Sequence, residues 1–292
     1  MSAQPALSRR TQSLVEGEYV FTARNFAQIA DFLRAQSGIA LTEAKATLVY
    51  SRLAKRLRKL GIPDFDAYCA FLETSEGASE RNEMLAALTT NVTRFYREPH
   101  HFDHLRKYVA NELAPRAKAG DRIRMWSAAC SSGEEPYSMA LTLLDAFPEV
   151  ARYDVKILAT DIDPNIVAKA RAGVYPENLV SPIPAGLRDR FLSRDRHNGD
   201  KMWRVKDELR SLITFKELNL IGDWPMRGRF DAIFCRNVVI YFEEATQAFL
   251  WNRFKGVMAP HGRLYIGHSE RVDVPGYESD GMTIYRLEGG RR

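Results

Sequence analysis

Apolar positions follow two different rhythms along the 292-residue chain, and the change falls near residue 120. In the first part they recur at helical spacing. Phe26, Ile29, Ala30 and Leu33 stand at i, i+3, i+4 and i+7. Ser37 and Gly38 predict the end of that helix. Thr42 precedes a second one, striped by Val49, Leu53, Leu57 and Leu60 and stopped by Gly61 and Pro63. Residues 65–72 and 80–88 predict two short helices. No strand pattern occurs before residue 120. The expectation is an all-α domain over 19–90, behind a polar, aperiodic and flexible tail at 1–18.

Past residue 120 short apolar runs alternate with helical stretches. Strands are predicted at 122–127, 155–160, 213–218, 230–235, 263–267 and 283–287. Helices are predicted at 136–147, 164–171 and 243–258. Strands alternating with helices predict a doubly wound α/β domain with a parallel sheet over 91–292. One connection, 173–211, is too long for a simple crossover. It holds a turn-like His197-Asn198-Gly199-Asp200 and a strand-like run at 202–205, which predict an inserted β-subdomain with a hairpin.

Composition narrows the class of protein. The chain is 45% hydrophobic and 27% charged, as in ordinary globular domains. The net charge of +5 permits an acidic partner without indicating nucleic acid, and no aromatic–basic RNA-binding module is visible. Three scattered cysteines offer neither a disulfide framework nor a metal pair, so a reducing compartment is expected. No apolar run is long enough to span a bilayer, and the first residues lack the apolar core of a signal peptide. A cytoplasmic protein without membrane insertion is expected.

Candidate chemistry gathers at the strand ends, where ligands bind in open α/β sheets. The first turn, Ser127-Ala-Ala-Cys-Ser-Ser-Gly-Glu-Glu135, is built of small residues but has one glycine and two acids. That argues against a pyrophosphate and for a cationic ligand. Alternatively, Glu134 and Glu135 merely complement the helix dipole. The second strand ends in Asp161-Ile-Asp163-Pro164. Asp163 suits a helix cap and Asp161 a ribose. The combination suggests S-adenosylmethionine: positive sulfonium and amino groups, a ribose and no phosphate. Residues 89–99 carry hydroxyls, an amide, aromatics and two arginines, suited either to a site or to packing between domains. After the fourth strand come Arg236, Asn237 and Tyr241. His100 and His104 share a helical face without further ligands, so no metal is expected. Cys130 reads as a packing residue.

These segments resemble the CheR-type chemotaxis receptor methyltransferases. The resemblance is carried, in order, by Asn-Val-Thr-Arg-Phe-Tyr-Arg-Glu, Trp-Ser-Ala-Ala-Cys-Ser-Ser-Gly-Glu-Glu-Pro-Tyr-Ser, Ala-Thr-Asp-Ile-Asp, Phe-Asp-Ala-Ile-Phe-Cys-Arg-Asn-Val-Val-Ile-Tyr-Phe and Ile-Gly-His-Ser-Glu, between about residues 26 and 287. It implies a helical N-terminal domain, an S-adenosylmethionine-dependent methyltransferase domain and an inserted β-subdomain. It also implies methyl transfer to receptor glutamates for chemotactic adaptation. By resemblance, Asn91, Thr93, Arg97, Glu135, Asp161, Asn219, Leu220, Cys235, Arg236 and Asn237 face the cofactor, and Arg97 with Tyr241 positions the glutamate.

The basic stretch with Arg52, Lys55, Arg56 and Lys59 is either a solvated face or a docking surface for an acidic receptor helical bundle, and the resemblance favours docking. A receptor C-terminal tether peptide is a further partner for the β-subdomain, and a monomer is expected. The competing readings are a receptor-binding scaffold without turnover and a methyltransferase of another acceptor.

Overall fold

The computed structural model describes residues 13–89, 91–195 and 201–290, which divide into two compact units. One runs to residue 90 and includes Tyr241–Glu243. The other comprises Asn91–Ile240 and Glu244–Arg292.

Among the described residues, four α-helices build the first unit: α1 (Ala23–Ser37), α2 (Ala46–Leu60), α3 (Phe65–Glu73) and α4 (Ala78–Leu88). Thr22 caps α1 reciprocally with Asn25, which satisfies two backbone donors that the helix leaves open. Gly38 ends the helix at φ +76°, a left-handed turn that glycine enters without a Cβ penalty. The apolar faces meet in a core of Phe21, Phe26, Ile29, Leu33, Val49, Leu53, Leu57, Phe65 and Tyr68. Leu60, expected in the α2 stripe, is instead exposed in the last turn. The expected tail is partly ordered. Ser13 bridges Thr22, the Leu14 N–H donates to the Phe21 carbonyl at 2.7 Å, and Glu18 pairs with Arg58 at 3.0 Å. Residues 1–12 lie outside the described residues.

In the second unit α5 (Pro99–Tyr108) and α6 (Ala114–Lys118) lead into β1 (Ile123–Ala128), α7 (Glu134–Ala146), β2 (Val155–Asp161) and α8 (Pro164–Ala172). The insertion follows as β3 (Val174–Pro176), α9 (Glu177–Val180), α10 (Ala185–Phe191), β4 (Leu192–Asp195), β5 (Met202–Val205) and α11 (Asp207–Arg210). Then come β6 (Ile213–Glu217), β7 (Phe230–Cys235), α12 (Glu244–Val257), β8 (Met258–Ile266), β9 (Tyr277–Gly281) and β10 (Ile284–Leu287). The main sheet has the order β6-β2-β1-β7-β8-β10-β9.

Its first five strands are parallel, whereas β10 runs antiparallel to both β8 and β9. The sheet is therefore mixed rather than wholly parallel. β9, with the polar sequence Tyr-Glu-Ser-Asp-Gly, escaped the apolar pattern because it is a half-exposed edge strand. The insertion is an antiparallel sheet ordered β3-β5-β4. β4 and β5 pair as the arms of the expected hairpin, whose turn residues 196–200 lie outside the described residues. No helix of the described residues is long and apolar enough to cross a membrane.

Candidate active site

The carboxyl ends of β6, β2, β1 and β7 stand side by side, with Asp161 level with Glu217 and Ala128 level with Thr160. The chain order reverses direction at β1, between β2 and β7. This is the switch point at which open α/β sheets form a crevice.

The turn after β1 is unusually contorted. Ala129, Ser131 and Gly133 all have positive φ, at +70°, +49° and +98°. At Gly133 a Cβ would lie 2.7 Å from the Tyr175 Oη and 3.0 Å from the Ala170 Cβ, so both conformation and space require glycine. The Cys130 N–H donates to the Thr160 carbonyl at 2.8 Å, and the Ser131 N–H to Asp161 Oδ2 at 2.8 Å. The Ser131 hydroxyl reaches the Asn91 carbonyl at 3.3 Å. The other Asp161 oxygen accepts the Asp163 N–H at 3.2 Å, while the Leu218 N–H donates to the Asp161 carbonyl at 2.9 Å. Asn91, Asp161 and the backbone leading to Asn219 are thus drawn together. Burial pushes the Asp161 carboxyl up, against the backbone donors that favour its ionised form. Asp163 instead caps α8, accepting the Asn165 N–H at 2.9 Å.

A second cluster is centred on Arg236, whose side chain is only 2% exposed. Its guanidinium lies 3.2 Å from Glu98 Oε2 and 3.2 Å from Glu135 Oε2, and donates to the Arg97 carbonyl. Glu135 Oε1 accepts the Ser127 hydroxyl at 2.7 Å. Burial raises the Glu135 carboxyl, and Arg236 opposes that rise. Burial would raise Glu98 also, but Arg236 and the His268 donors outweigh it and hold the carboxyl at about 2. One cation between two largely shielded carboxyl groups gives the cluster an acidic excess, which suits a cationic ligand group. Glu134 plays a different part, since it is buried and accepts the Ser132 hydroxyl at 2.6 Å.

The remaining candidates are placed unequally. Thr93 and Arg97 are half-buried, and Arg97 Nη1 donates to the Val92 carbonyl at 2.8 Å. Asn219 accepts the Ile221 N–H at 3.1 Å. The Leu220 carbonyl receives both Trp224 Nε1 at 3.1 Å and Arg253 Nη1 at 2.8 Å. Cys235 is fully buried with its thiol raised by burial, so only its backbone can line a site. Asn237 sits at φ +58°. Tyr241 belongs to the first unit. Its carbonyl accepts the Ala40 N–H at 2.8 Å, and Lys45 Nζ lies 5.0 Å from its ring centre.

Two expected docking residues are committed elsewhere. Arg52 donates to the carbonyls of Ala87, Leu88 and Thr89 at 3.1, 3.1 and 2.7 Å, closing the end of α4. Arg56 pairs with Glu80 at 2.5 Å and Glu83 at 2.8 Å. The carbonyls that engage Arg52 and the acids that pair with Arg56 lie on α4 or at its end, where a scan of α2 does not see them. Lys55 and Lys59 are exposed. Sequence reasoning also gave no role to Glu98 or Glu270. Glu98 stands just before Pro99, and Glu270 closes the Gly-His-Ser-Glu segment.

The strand-end crevice, its glycine-poor turn and its buried acids define an α/β methyltransferase that takes a cationic nucleoside cofactor. Residues 24–89 match the family described as CheR methyltransferase, all-alpha domain, and residues 91–282 match CheR methyltransferase, SAM binding domain. The chain belongs to the CheR methyltransferase family. It is 52% identical over 253 residues to a probable chemotaxis protein methyltransferase of Rhizobium etli, covering 86% of this chain and 94% of that protein. It is 41% identical over 273 residues to chemotaxis protein methyltransferase 2 of Pseudomonas aeruginosa, covering 92% and 94%. The Escherichia coli chemotaxis protein methyltransferase is 38% identical over 266 residues, covering 90% of each chain.

Proposed function

We propose that this enzyme esterifies glutamate side chains of chemoreceptor cytoplasmic bundles, using S-adenosylmethionine and releasing S-adenosylhomocysteine. The supporting observation is the pair of buried acidic clusters at the ends of β1 and β2, on a fold whose relatives are chemotaxis protein methyltransferases. Asn91, Thr93, Arg97, Glu135, Asp161, Asn219, Leu220, Arg236, Asn237 and the Cys235 backbone hold the cofactor, which supplies an electrophilic methyl group when bound. The acceptor needs no general base, since a glutamate carboxyl with a pKa of about 4.3 is already ionised at neutral pH. The work left to the chain is alignment and the exclusion of water. Arg97 pairs with the incoming carboxylate, and Tyr241 donates a hydrogen bond that orients it.

The exposed lysines Lys55 and Lys59 supply the docking charge, since Arg52 and Arg56 are already engaged. The edge strands β3 and β4 accept a receptor tether peptide by strand addition. The three free, buried thiols fit a reducing cytoplasm.

The deciding experiment incubates the enzyme with methyl-labelled cofactor and receptor cytoplasmic fragments. Label should be released as methanol in mild base and should disappear when the receptor glutamates become alanine. Base-stable label would assign another acceptor, and cofactor binding without transfer to any receptor would support a scaffold. In the same assay Lys55→Glu with Lys59→Glu should lower kcat/KM at low salt and leave S-adenosylhomocysteine affinity unchanged. Equal methylation at all salt concentrations would remove the docking role.

A further inference from the structure

The loop that leaves β7 carries Arg236 and Asn237 and runs directly into Tyr241. Its backbone N–H groups converge on one buried side chain. Glu270 Oε2 accepts from Gly267 at 2.6 Å and from Asn237 at 2.9 Å. Glu270 Oε1 accepts from Val238 at 2.9 Å, Val239 at 2.9 Å and Ile240 at 3.4 Å. Five backbone donors on one carboxylate is far more than a loop needs for solvation. Residues 237–240 form only a short 3-10 turn at their end, so they have no ladder or long helix of their own to take these N–H groups.

Asn237 stands in the left-handed region at φ +58°, which asparagine enters more readily than other non-glycine residues, and its N–H points to Glu270 Oε2. Gly267 presses on the same residue: a Cβ at that position would lie 2.8 Å from the Asn237 backbone nitrogen.

We propose that Glu270 is a positioning residue of the cofactor site. It sets the backbone of residues 237–240, and through it the orientation of Asn237 and the exit of the chain toward Tyr241. This rests on the reading above that Asn237 faces the cofactor. Glu270 touches neither cofactor nor substrate in this role; it acts through the loop. A glutamine would keep the volume but turn a donor amide toward N–H groups that need an acceptor.

The test compares S-adenosylhomocysteine affinity by calorimetry for the full-length protein and the variants Glu270→Gln, Gly267→Ala and Asn237→Ala. Val150→Ala serves as a control that loosens the core away from the loop. Glu270→Gln, which removes an acceptor, and Gly267→Ala, which crowds Asn237, should each weaken binding at least tenfold. The control should leave the affinity of the folded protein unchanged, because a purely structural loss lowers melting temperature without altering the site. If Asn237→Ala binds normally, the cofactor reading of Asn237 fails. If Asn237→Ala is weakened while the other two bind normally, the positioning role of Glu270 is overturned. Hydrogen exchange on the unmodified protein decides the case in which Glu270→Gln does not fold. Amides 237–240 should be strongly protected without ligand, and exchange at open-loop rates would overturn the proposal.

Discussion

Arg236 shows how one side chain organises a charge cluster, and how much stability its removal should cost. Its guanidinium is buried against Glu98 and Glu135, both largely shielded from water. Deleting one partner of a buried ion pair typically costs about 3–5 kcal/mol, because the other charge stays buried and uncompensated. Arg236→Ala should therefore lower stability by roughly that amount, and it should raise the apparent pKa of Glu98 from about 2 toward the ordinary carboxylate range. Chemical denaturation at neutral pH, with carboxyl titration by NMR, checks both.

His101 adds a second pH dependence. It is buried, and burial followed by the nearby Arg236 charge lowers its pKa to about 3 from 6.5. A histidine whose folded pKa is depressed binds its proton more readily when unfolded, so stability rises with pH wherever that difference operates. The contribution is full above about 6.5 and is lost as pH falls toward 3. Glu98 acts in the same direction, but only from about 4.5 down to 2. Unfolding measured between pH 6.5 and 4.5 should therefore take up close to one proton attributable to His101. The uptake should fall by about that one proton in His101→Gln, leaving the share of His104, whose pKa burial also lowers, and an unchanged pH slope in that variant would contradict the assignment. Neither Glu98 nor His101 was legible as a site residue in the sequence. Their roles depend on Arg236, which lies well over a hundred positions away, just past the end of β7, and meets them at the start of α5.

At the scale of elements, local pattern carried most of the α/β order, and pairing between distant segments carried what was missed. β1, β2, β7 and β8 carry apolar runs because the inner parallel strands of this sheet are largely buried, whereas the edge strand β6 alternates, with Ile213 and Phe215 buried and Thr214 and Lys216 exposed. β9 is polar because it lies at an edge, and β3 and β4 are too short to show a period. The small residues of the turn between β1 and α7 marked it as a candidate ligand turn, yet its three left-handed positions were not legible. Only one of the three is glycine. Gly133→Ala places a Cβ against the Tyr175 hydroxyl at a φ that alanine disfavours. It should weaken S-adenosylhomocysteine binding severalfold or more, read by calorimetry, and an unaltered affinity would show that the turn tolerates displacement.

The basic face of α2 gives the converse lesson. Periodicity correctly put Arg52 and Arg56 off the apolar stripe, but could not show that α4 receives them. Arg56→Ala would strand Glu80, whose side chain is 4% exposed, and should cost about 3 kcal/mol of stability. Lys55→Ala should stay within about 0.5 kcal/mol, as expected for an exposed surface position. Thermal melts of the two variants separate structural from docking charge on one helix.

At the scale of the whole molecule, the backbone passes between the two units three times, after residues 90, 240 and 243. The short excursion Tyr241–Glu243 is held by contacts with the helical unit. Ile39 bridges Phe242, the Ala40 N–H donates to the Tyr241 carbonyl at 2.8 Å, and Arg34 pairs with Glu243 at 3.4 Å. The residue proposed to orient the substrate glutamate therefore depends on the α1–α2 connection for its backbone position. The residues proposed to hold the cofactor all lie in the other unit.

This division predicts a separation of kinetic parameters. Ala40→Pro removes the N–H that Tyr241 accepts, and Ile39 before it already sits in an extended bridge, as a residue preceding proline prefers. A lost hydrogen bond is worth about 1 kcal/mol, enough to shift the segment without unfolding its unit. The expected result is a severalfold fall in kcat for receptor methylation with S-adenosylhomocysteine affinity within about twofold of the starting protein. Tyr241→Phe should show the same split, since it removes the hydroxyl and leaves the cofactor wall intact. A parallel loss of cofactor affinity in both variants would place Tyr241 on the cofactor rather than on the acceptor. An unchanged kcat in Tyr241→Phe would take it out of the reaction, leaving Arg97 to position the glutamate carboxylate alone.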